Sequence, residues 1–239
     1  SLTKNNIKVT ALTRNVHQKG YILKTQANPG YLEIVEGSIF DHELVEKLFS
    51  NADLCVNLVG ILFEKGKNNF NNIHTEFPKM ISRYASNYKL EKFVHLSALG
   101  IENAKDSIYA QSKLKGEEEI LNNFDKAVIV RPSIVYSVDD NFTTQLMNLL
   151  GLLPIFPIYY NGKTKFRPIF CSDLTNSITK IITDDIKENI IEFAGPEEMS
   201  FKEILEKLLF LIEKKRLLLP MPISLARMTA HIFEILPKP

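Results

Sequence analysis

No stretch of 18 or more uncharged apolar residues occurs in the 239-residue chain, so nothing in the sequence reads as a membrane-spanning helix. There is no C-x-x-C and no H-E-x-x-H, and His17, His42, His74, His95 and His231 share no ligand spacing, so no metal site is expected. Cysteine is scarce: Cys55 and Cys171 stand far apart in or beside apolar runs. Buried thiols in a reduced compartment are the simpler reading, with a disulfide as the other. Charge of either sign is not in excess, with a net charge of +1 and no lysine-arginine stripe interleaved with aromatics. That removes the electrostatic case for nucleic acid. Glycine clusters are also lacking: neither G-x-G-x-x-G nor G-x-x-G-x-x-G appears.

What is present is ordinary globular composition, 45% apolar and 24% charged, in a chain long enough for one large α/β domain with or without a small lobe. Strand-like runs occupy 6–14, 32–38, 53–60, 92–98, 127–133, 165–171 and 189–195. Several are rich in Val and Ile on both faces, as strands buried in a parallel sheet are. Helical patterns lie between them at 41–50, 70–88, 107–123 and 141–150, with Asp41 placed as an N-cap, and further on at 172–184 and 201–214. The expected fold is α/β, a Rossmann-like doubly wound parallel sheet over 1–150, with a smaller C-terminal lobe over 151–239 interleaved with the main sheet. Prolines at 154, 157, 168 and 196 and the turn at Asn161-Gly162 mark the change of character.

Such a sheet normally opens with strand, glycine-rich loop and helix, and this chain enters at what reads as the second strand. The first strand and the loop are therefore expected to be missing by N-terminal truncation. In the order 3-2-1-4-5-6 that strand is central, and its loss leaves buried amides unpaired at roughly 1–3 kcal/mol each. A different fold that never had the loop is the other reading. A targeting segment would precede Ser1, so its absence says nothing about compartment.

The chemistry-bearing set is Ser97, Tyr109 and Lys113. Ser97 closes the run FVHLS, at the strand end where such sheets present residues to a ligand. Tyr109 and Lys113 are four apart in SIYAQSKLKGEEEIL and share a helix face. A lysine ammonium beside a phenol favours the phenolate and makes tyrosine usable as an acid or base near neutrality. Spacing alone is weak: Tyr88/Lys92 and Tyr159/Lys163 match as well, but one straddles a helix end and the other crosses the Asn-Gly turn. A tyrosine packed on the aliphatic stem of its lysine is the structural alternative.

The order of Ser97, Y-A-Q-S-K with G-E-E, and V-I-V-R-P-S-I-V-Y resembles the extended or atypical short-chain dehydrogenases/reductases. FVHLSALGIENAKDSIYAQSKLKGEE, RPSIVYSVDDNF, FRPIFCSDL and PMPISLARMTAHIFEILP resemble, more closely, the nucleotide-binding accessory subunit of respiratory complex I (NADH:ubiquinone oxidoreductase) and its bacterial relatives. The resemblance implies that Tyr109 and Lys113 contact the nicotinamide ribose with Ser97 beside the nicotinamide. It implies that Pro132, Ser133 and Ile134 line the carboxamide and that Asn57, Leu58, Val59 and Gly60 pass beneath the adenosine ribose. Ser38, with Ile39, stands where many relatives carry an aspartate near the adenine. Arg14 stands where an acidic residue would favour NAD and an arginine pairs with the 2′-phosphate of NADP, so NADP is favoured with NAD as the alternative; a solvated loop arginine is the bland reading.

Two functions follow from the resemblance. One is a complex I-associated or quinone-linked subunit in which the nucleotide is mainly structural. The other is an active NAD(P)-dependent oxidoreductase or epimerase/dehydratase using Tyr109 as acid/base. Phe142, Leu146, Leu149, Leu150, Phe156, Tyr159 and Tyr160 are expected to line the substrate side, with Arg167 the only arginine there, which favours a quinone or other apolar ligand, or a protein surface, over a sugar nucleotide; a helix 141–150 that is simply core is the other reading. The segment 217–239 reads as the lobe's closing helix, a partner-binding segment or a membrane-surface helix. The implied location is the mitochondrial matrix side of the inner membrane or, in a bacterium, the cytoplasm or inner membrane.

Overall fold

The computed structural model describes residues 1–138, 140–184 and 186–222. They fall into two compact units, Ser1–Pro132 with Asp173–Phe193, and Ser133–Ser172 with the described residues from Ala194 onward. In chain order the elements are β1 (Val9–Thr13), α1 (Val16–Gln26), β2 (Leu32–Glu36), α2 (His42–Phe49), β3 (Leu54–Asn57), a π-helical turn (Asn71–Glu76), α3 (Phe77–Asn87), β4 (Lys92–Leu96), α4 (Ile108–Asn123) and β5 (Ala127–Pro132). There follow β6 (Val135–Tyr136), α5 (Asn141–Leu152), β7 (Ile155–Tyr159), β8 (Lys165–Phe166), β9 (Ile169–Phe170), α6 (Cys171–Thr183), β10 (Ile190–Phe193), β11 (Met199–Ser200), α7 (Phe201–Leu211) and β12 (Leu217–Met221).

The first unit is the Rossmann-like part, and its strands pair in parallel. β1 and β2 form one ladder, with Val9 opposite Leu32 and Thr13 opposite Glu36. The other ladder runs β10-β5-β4-β3. The two ladders are separate: β1 and β2 hydrogen-bond to no strand of the other. The interior of β4 and β5 is buried on both faces: Phe93, Val94, Ala127, Val128, Ile129 and Val130 are all at most 3% exposed. That double burial is why these runs read as continuous rather than alternating apolar patterns.

Helix ends are where the sequence predicted them when a capping side chain was legible. Asp41 accepts from the Leu44 amide at 3.0 Å to start α2, and Ser107 accepts from the Ala110 amide at 3.3 Å to start α4. The far end of α6 is closed from outside the helix, by the Lys92 ammonium donating to the carbonyls of Ile181 and Asp184 at 2.6 Å each.

The second unit has its own core of Leu150, Phe156, Ile158, Leu205 and Leu208 among α5, β7 and α7. Ser200 and Glu203 form a capping box at the start of α7. Its strands are short: β6 pairs β9, β8 pairs β11 antiparallel, and β7 pairs β12 with Ile155 opposite Leu217.

Three expectations are corrected. Residues 165–171 are two strands of two residues each, because Pro168 has no amide to continue a ladder. Residues 217–221 are strand rather than helix; the remainder of that apolar segment, 223–239, lies outside the described residues. The single helix expected at 70–88 starts as the π-helical turn before becoming α3. α1 carries too even a mixture of polar and apolar residues to stand out as periodic.

The π-helical turn sits backbone-to-backbone on α4. A Cβ at Gly116 would stand 1.8 Å from the carbonyl oxygen of His74, and Thr75 Oγ1 donates to the Ser112 carbonyl at 3.0 Å. Gly116→Ala is therefore expected to destabilise the protein by about 1–3 kcal/mol or more, since the clash is with backbone and not with a side chain that can swing away. Urea unfolding of the two proteins measures this, and equal midpoints would show that the two backbones yield freely.

Candidate functional site

Tyr109, Ser112, Lys113, Gly116 and Glu117 recur at helical spacing along α4 and share the face that meets β4 and the π-helical turn. Lys113 is 5% exposed, and its ammonium donates to the Leu96 carbonyl at 3.4 Å, the last residue of β4. It also lies 5.8 Å from the centroid of the Tyr109 ring. Burial lowers the Lys113 pKa to about 8, against an upward pull from Glu117. Burial raises the Tyr109 phenol above its ordinary value.

Ser97 follows Leu96 directly and extends the ladder, its amide donating to the Val130 carbonyl at 2.7 Å. Its hydroxyl is buried without a hydrogen-bond partner among the described residues. Two residues on, the Leu99 amide donates to the Pro132 carbonyl at 2.9 Å, holding the turn after β4 against the end of β5.

Two buried histidines, named from sequence only as unlikely metal ligands, complete this region. Asn57 Oδ1 accepts from the Val59 amide at 3.1 Å, which turns its Nδ2 toward His95 Nδ1 at 2.9 Å. His95 Nδ1 is thus an acceptor, and the ring proton is on Nε2. His74 has the opposite tautomer. Its Nε2 accepts from the Ile61 amide at 3.1 Å, so Nδ1 carries the proton and donates to Ser112 Oγ at 2.9 Å. Ser112 Oγ in turn donates to the Tyr109 carbonyl at 2.7 Å. The His74 ring stacks on Phe70 at 5.4 Å and meets Tyr109 edge-on at 5.3 Å. Both histidines are neutral: burial, then the Lys113 charge, lowers His74 to about 4 and His95 to about 3.

On the next turn of α4, buried Glu117 receives Arg131 through two nitrogens at 3.1 and 2.6 Å. Glu102 and Glu192 lie 3.5 and 3.7 Å from the same guanidinium.

The structure therefore gathers Asn57, Gly60, Ser97, Tyr109 and Lys113 in one region. A Cβ at Gly60 would stand 3.8 Å from Lys113 Nζ and 3.9 Å from His74 Nε2. Leu58 is exposed, while Val59 packs on the core that includes Val45 and Phe93. Arg14 is exposed just past β1, Ile39 packs into the same core, and Ser38 Oγ accepts from the Phe40 amide at 3.1 Å. Pro132 ends β5, whereas Ser133 and Ile134 fall in the second unit, where the Ile134 carbonyl accepts from Ile169 at 2.9 Å.

Part of the expected substrate lining is core instead. Leu150 and Phe156 are buried and Leu146 packs on them, so only Leu149, Tyr159 and Tyr160 of that set are exposed. His74, His95, Ser112 and the Glu117–Arg131 pair were missed, because none carries a spacing signal. The small residue in S-K-L-K-G-E-E was the one available hint of a close approach on α4. Cys55 and Cys171 are free thiols. Among the described residues no group of three His, Cys, Asp or Glu is placed to hold a metal, and no helix is long and apolar enough to cross a membrane.

No protein-family model matches the chain. Among curated proteins it is 22% identical over 216 residues to the NADH dehydrogenase [ubiquinone] 1 alpha subcomplex subunit 9, mitochondrial, of Mus musculus, covering 90% of this chain and 57% of that protein. The protein of the same name from Dictyostelium discoideum is 27% identical over 188 residues, covering 78% and 52%. The chain thus spans about half the length of the curated relatives it matches. Among solved structures it superposes with a TM-score of 0.72 on a dTDP-4-dehydrorhamnose reductase from Bacillus anthracis in complex with NADP, at 16% identity over 91% of this chain and 85% of that one. It matches equally, at 0.72 and 19% identity over 92% and 80%, a UDP-glucuronic acid 4-epimerase from Bacillus cereus in complex with UDP-glucuronic acid and NAD. The chain is related in sequence to the complex I subunits and has the Rossmann-like fold of these reductases and epimerases.

The neutral histidines give a signed pH dependence. Each has a folded pKa below the ordinary 6.5, so unfolding takes up protons as pH falls, and the stability present above about 6.5 is lost toward about 4. Each should contribute up to about 1.4 kcal/mol per pH unit in that window. Urea unfolding between about pH 7 and about pH 5 is expected to show this slope, reduced by about one proton in His95→Gln. An unchanged slope in the variant would reject the assignment.

Proposed function

We propose that the protein is an NADP(H)-binding member of the short-chain dehydrogenase-like group, associated with respiratory complex I or a quinone-linked relative of it, in which the nucleotide serves mainly as a structural element. The two sequence relatives described above are complex I subunits, and two structural neighbours were solved with NADP and with NAD. These similarities support a nicotinamide dinucleotide.

The donor set on this chain fits the nicotinamide half of such a ligand. The buried Ser97 hydroxyl lacks a partner among the described residues, and the Lys113 ammonium of α4, near the Tyr109 ring, donates to the carbonyl of Leu96, the residue before Ser97. Lys113 and Tyr109 would bind the ribose hydroxyls, and Ser97 would hydrogen-bond beside the nicotinamide ring. When bound, the nucleotide supplies hydride-transfer capacity. No glycine-rich loop in these 239 residues cradles the pyrophosphate.

The observation that carries the structural reading is the state of the Tyr109–Lys113 pair. A tyrosine acting as acid or base near neutrality needs its pKa brought down, and here burial moves it up. The Lys113 ammonium lies near the ring of Tyr109 and donates to the Leu96 carbonyl. A raised phenol beside a buried ammonium supports a pair that binds nucleotide over one poised for proton transfer. Arg14, exposed at the end of β1, supports NADP over NAD because a guanidinium pairs with a 2′-phosphate. The implied location is the matrix side of the mitochondrial inner membrane or, in a bacterium, the cytoplasm or inner membrane.

Purifying the full-length natural protein, denaturing it and identifying the released nucleotide is expected to yield stoichiometric NADP(H) whose redox state does not change on exposure to hydride acceptors. Nucleotide that exchanges and turns over would establish the reductase instead, and protein without nucleotide would overturn both. In the same protein, Arg14→Asp is expected to shift preference from NADP toward NAD by about tenfold or more, the loss of one charge-assisted pair. Titration of both nucleotides against each protein reads this directly.

A further inference from the structure

We infer that His74 is a positioning residue for the nucleotide site: through its two ring nitrogens it ties the Leu58–Ile61 loop to α4, so that the loop backbone and the Tyr109–Lys113 face are held as one surface. The inference rests on the nucleotide reading above but concerns a residue to which that reading gives no role.

The loop is anchored at both ends by a histidine and an amide. At its start, Asn57 is clasped between His95 Nδ1 and the Val59 amide. At its end, the Ile61 amide donates to His74 Nε2. Gly60 lies between the anchors, where a Cβ would stand 3.8 Å from Lys113 Nζ and 3.9 Å from His74 Nε2. The opposite side of the His74 ring donates to Ser112 Oγ, one residue before Lys113, and that hydroxyl donates on to the carbonyl of Tyr109. A single ring thus links a loop amide to the two turns of α4 that carry the site.

The ring itself cannot shift without moving its backbone. The His74 carbonyl is seated on Gly116, Thr75 bonds the Ser112 carbonyl, and the ring faces are taken by Phe70 and the edge of Tyr109. The π-helical turn that carries His74 is a departure from regular helix, and such turns commonly re-aim a side chain at a functional site. Only a neutral imidazole with its proton on Nδ1 accepts on one side and donates on the other as this arrangement requires. Glutamine keeps one acceptor and one donor, and phenylalanine keeps the ring without either.

The test compares the full-length wild-type protein with His74→Gln and His74→Phe by two readouts, hydrogen exchange at the Ile61 amide in nucleotide-free protein and NADPH affinity by fluorescence titration. Phenylalanine is expected to speed Ile61 exchange and to weaken NADPH binding about fivefold or more, the loss of one or two hydrogen bonds, while glutamine stays near wild type in both. Matched thermal midpoints in the two variants separate this from general destabilisation. Ile61 protection unchanged in the phenylalanine variant, or lost equally in the glutamine variant, overturns the tie. Faster Ile61 exchange without any loss of NADPH affinity overturns the positioning role. Wild-type protein that binds no NADPH sinks the nucleotide reading and the positioning role with it, while the exchange series still decides whether His74 holds the loop.

Discussion

The burial of one ammonium organises the site. Lys113 sits at the carboxyl end of β4 with 5% of its surface exposed and a carbonyl at 3.4 Å. An ammonium so placed is poorly solvated, and its field acts on neighbours with little screening. Both buried histidines respond. Their imidazoles are pushed well below the ordinary range, first by burial and then by the Lys113 charge, so each keeps one bare nitrogen. Those bare nitrogens are what Asn57 and the Ile61 amide bond to. Burial is the larger cause, so the histidines keep those acceptors, and the Lys113 charge adds to the same preference.

Why the lysine is not simply neutralised is answered one turn along α4. Glu117 is the nearest acidic residue in sequence that shares its face, yet both of its oxygens are committed to Arg131. A bidentate guanidinium–carboxylate pair is geometrically demanding, and Arg131 also draws in Glu102 and Glu192. Glu117 thus raises the Lys113 pKa only at a distance while burial dominates and lowers it. The buried anion is satisfied by a partner on β5, which leaves the buried cation available to a ligand. Segregating the two charges onto successive turns is what keeps a binding-competent lysine inside a folded interior.

How much of this was legible in the sequence depended on whether the determinant was local. β4, β5 and α4 were readable because double-faced burial produces unbroken Val/Ile runs and because Ser107 caps its helix in the usual way. The face shared by Tyr109 and Lys113 was readable from a spacing of four. His74 was not, since its role depends on a π-helical turn, on Gly116 far along the chain from the loop it serves, and on an amide at Ile61 that no side-chain pattern announces. The substrate-side reading of Leu150 and Phe156 failed for a similar reason: apolar residues on α5 and β7 look alike whether they face a ligand or a core, and here α7 covers them. β12 was hidden by Pro220, which is tolerated because a two-stranded ladder consists only of edges.

The Ser97 hydroxyl is the strongest argument that this region is built to bind something rather than only to fold. Its backbone is used, since the amide extends the ladder to Val130, but its side chain is buried with nothing to bond. An unsatisfied buried hydroxyl costs on the order of 1–3 kcal/mol, and alanine would fill the same strand end without that cost. Folding alone therefore gives no reason for serine at this position. A polar ligand group beside it does, because the hydroxyl's bond is then made on binding and its whole desolvation cost is offset in the complex. The same logic applies to Lys113, whose burial opposes folding at neutral pH and whose charge is best matched by ligand oxygens. The Ser97 hydroxyl and the Lys113 ammonium thus each disfavour the ligand-free state, and the same kind of polar partner would satisfy both.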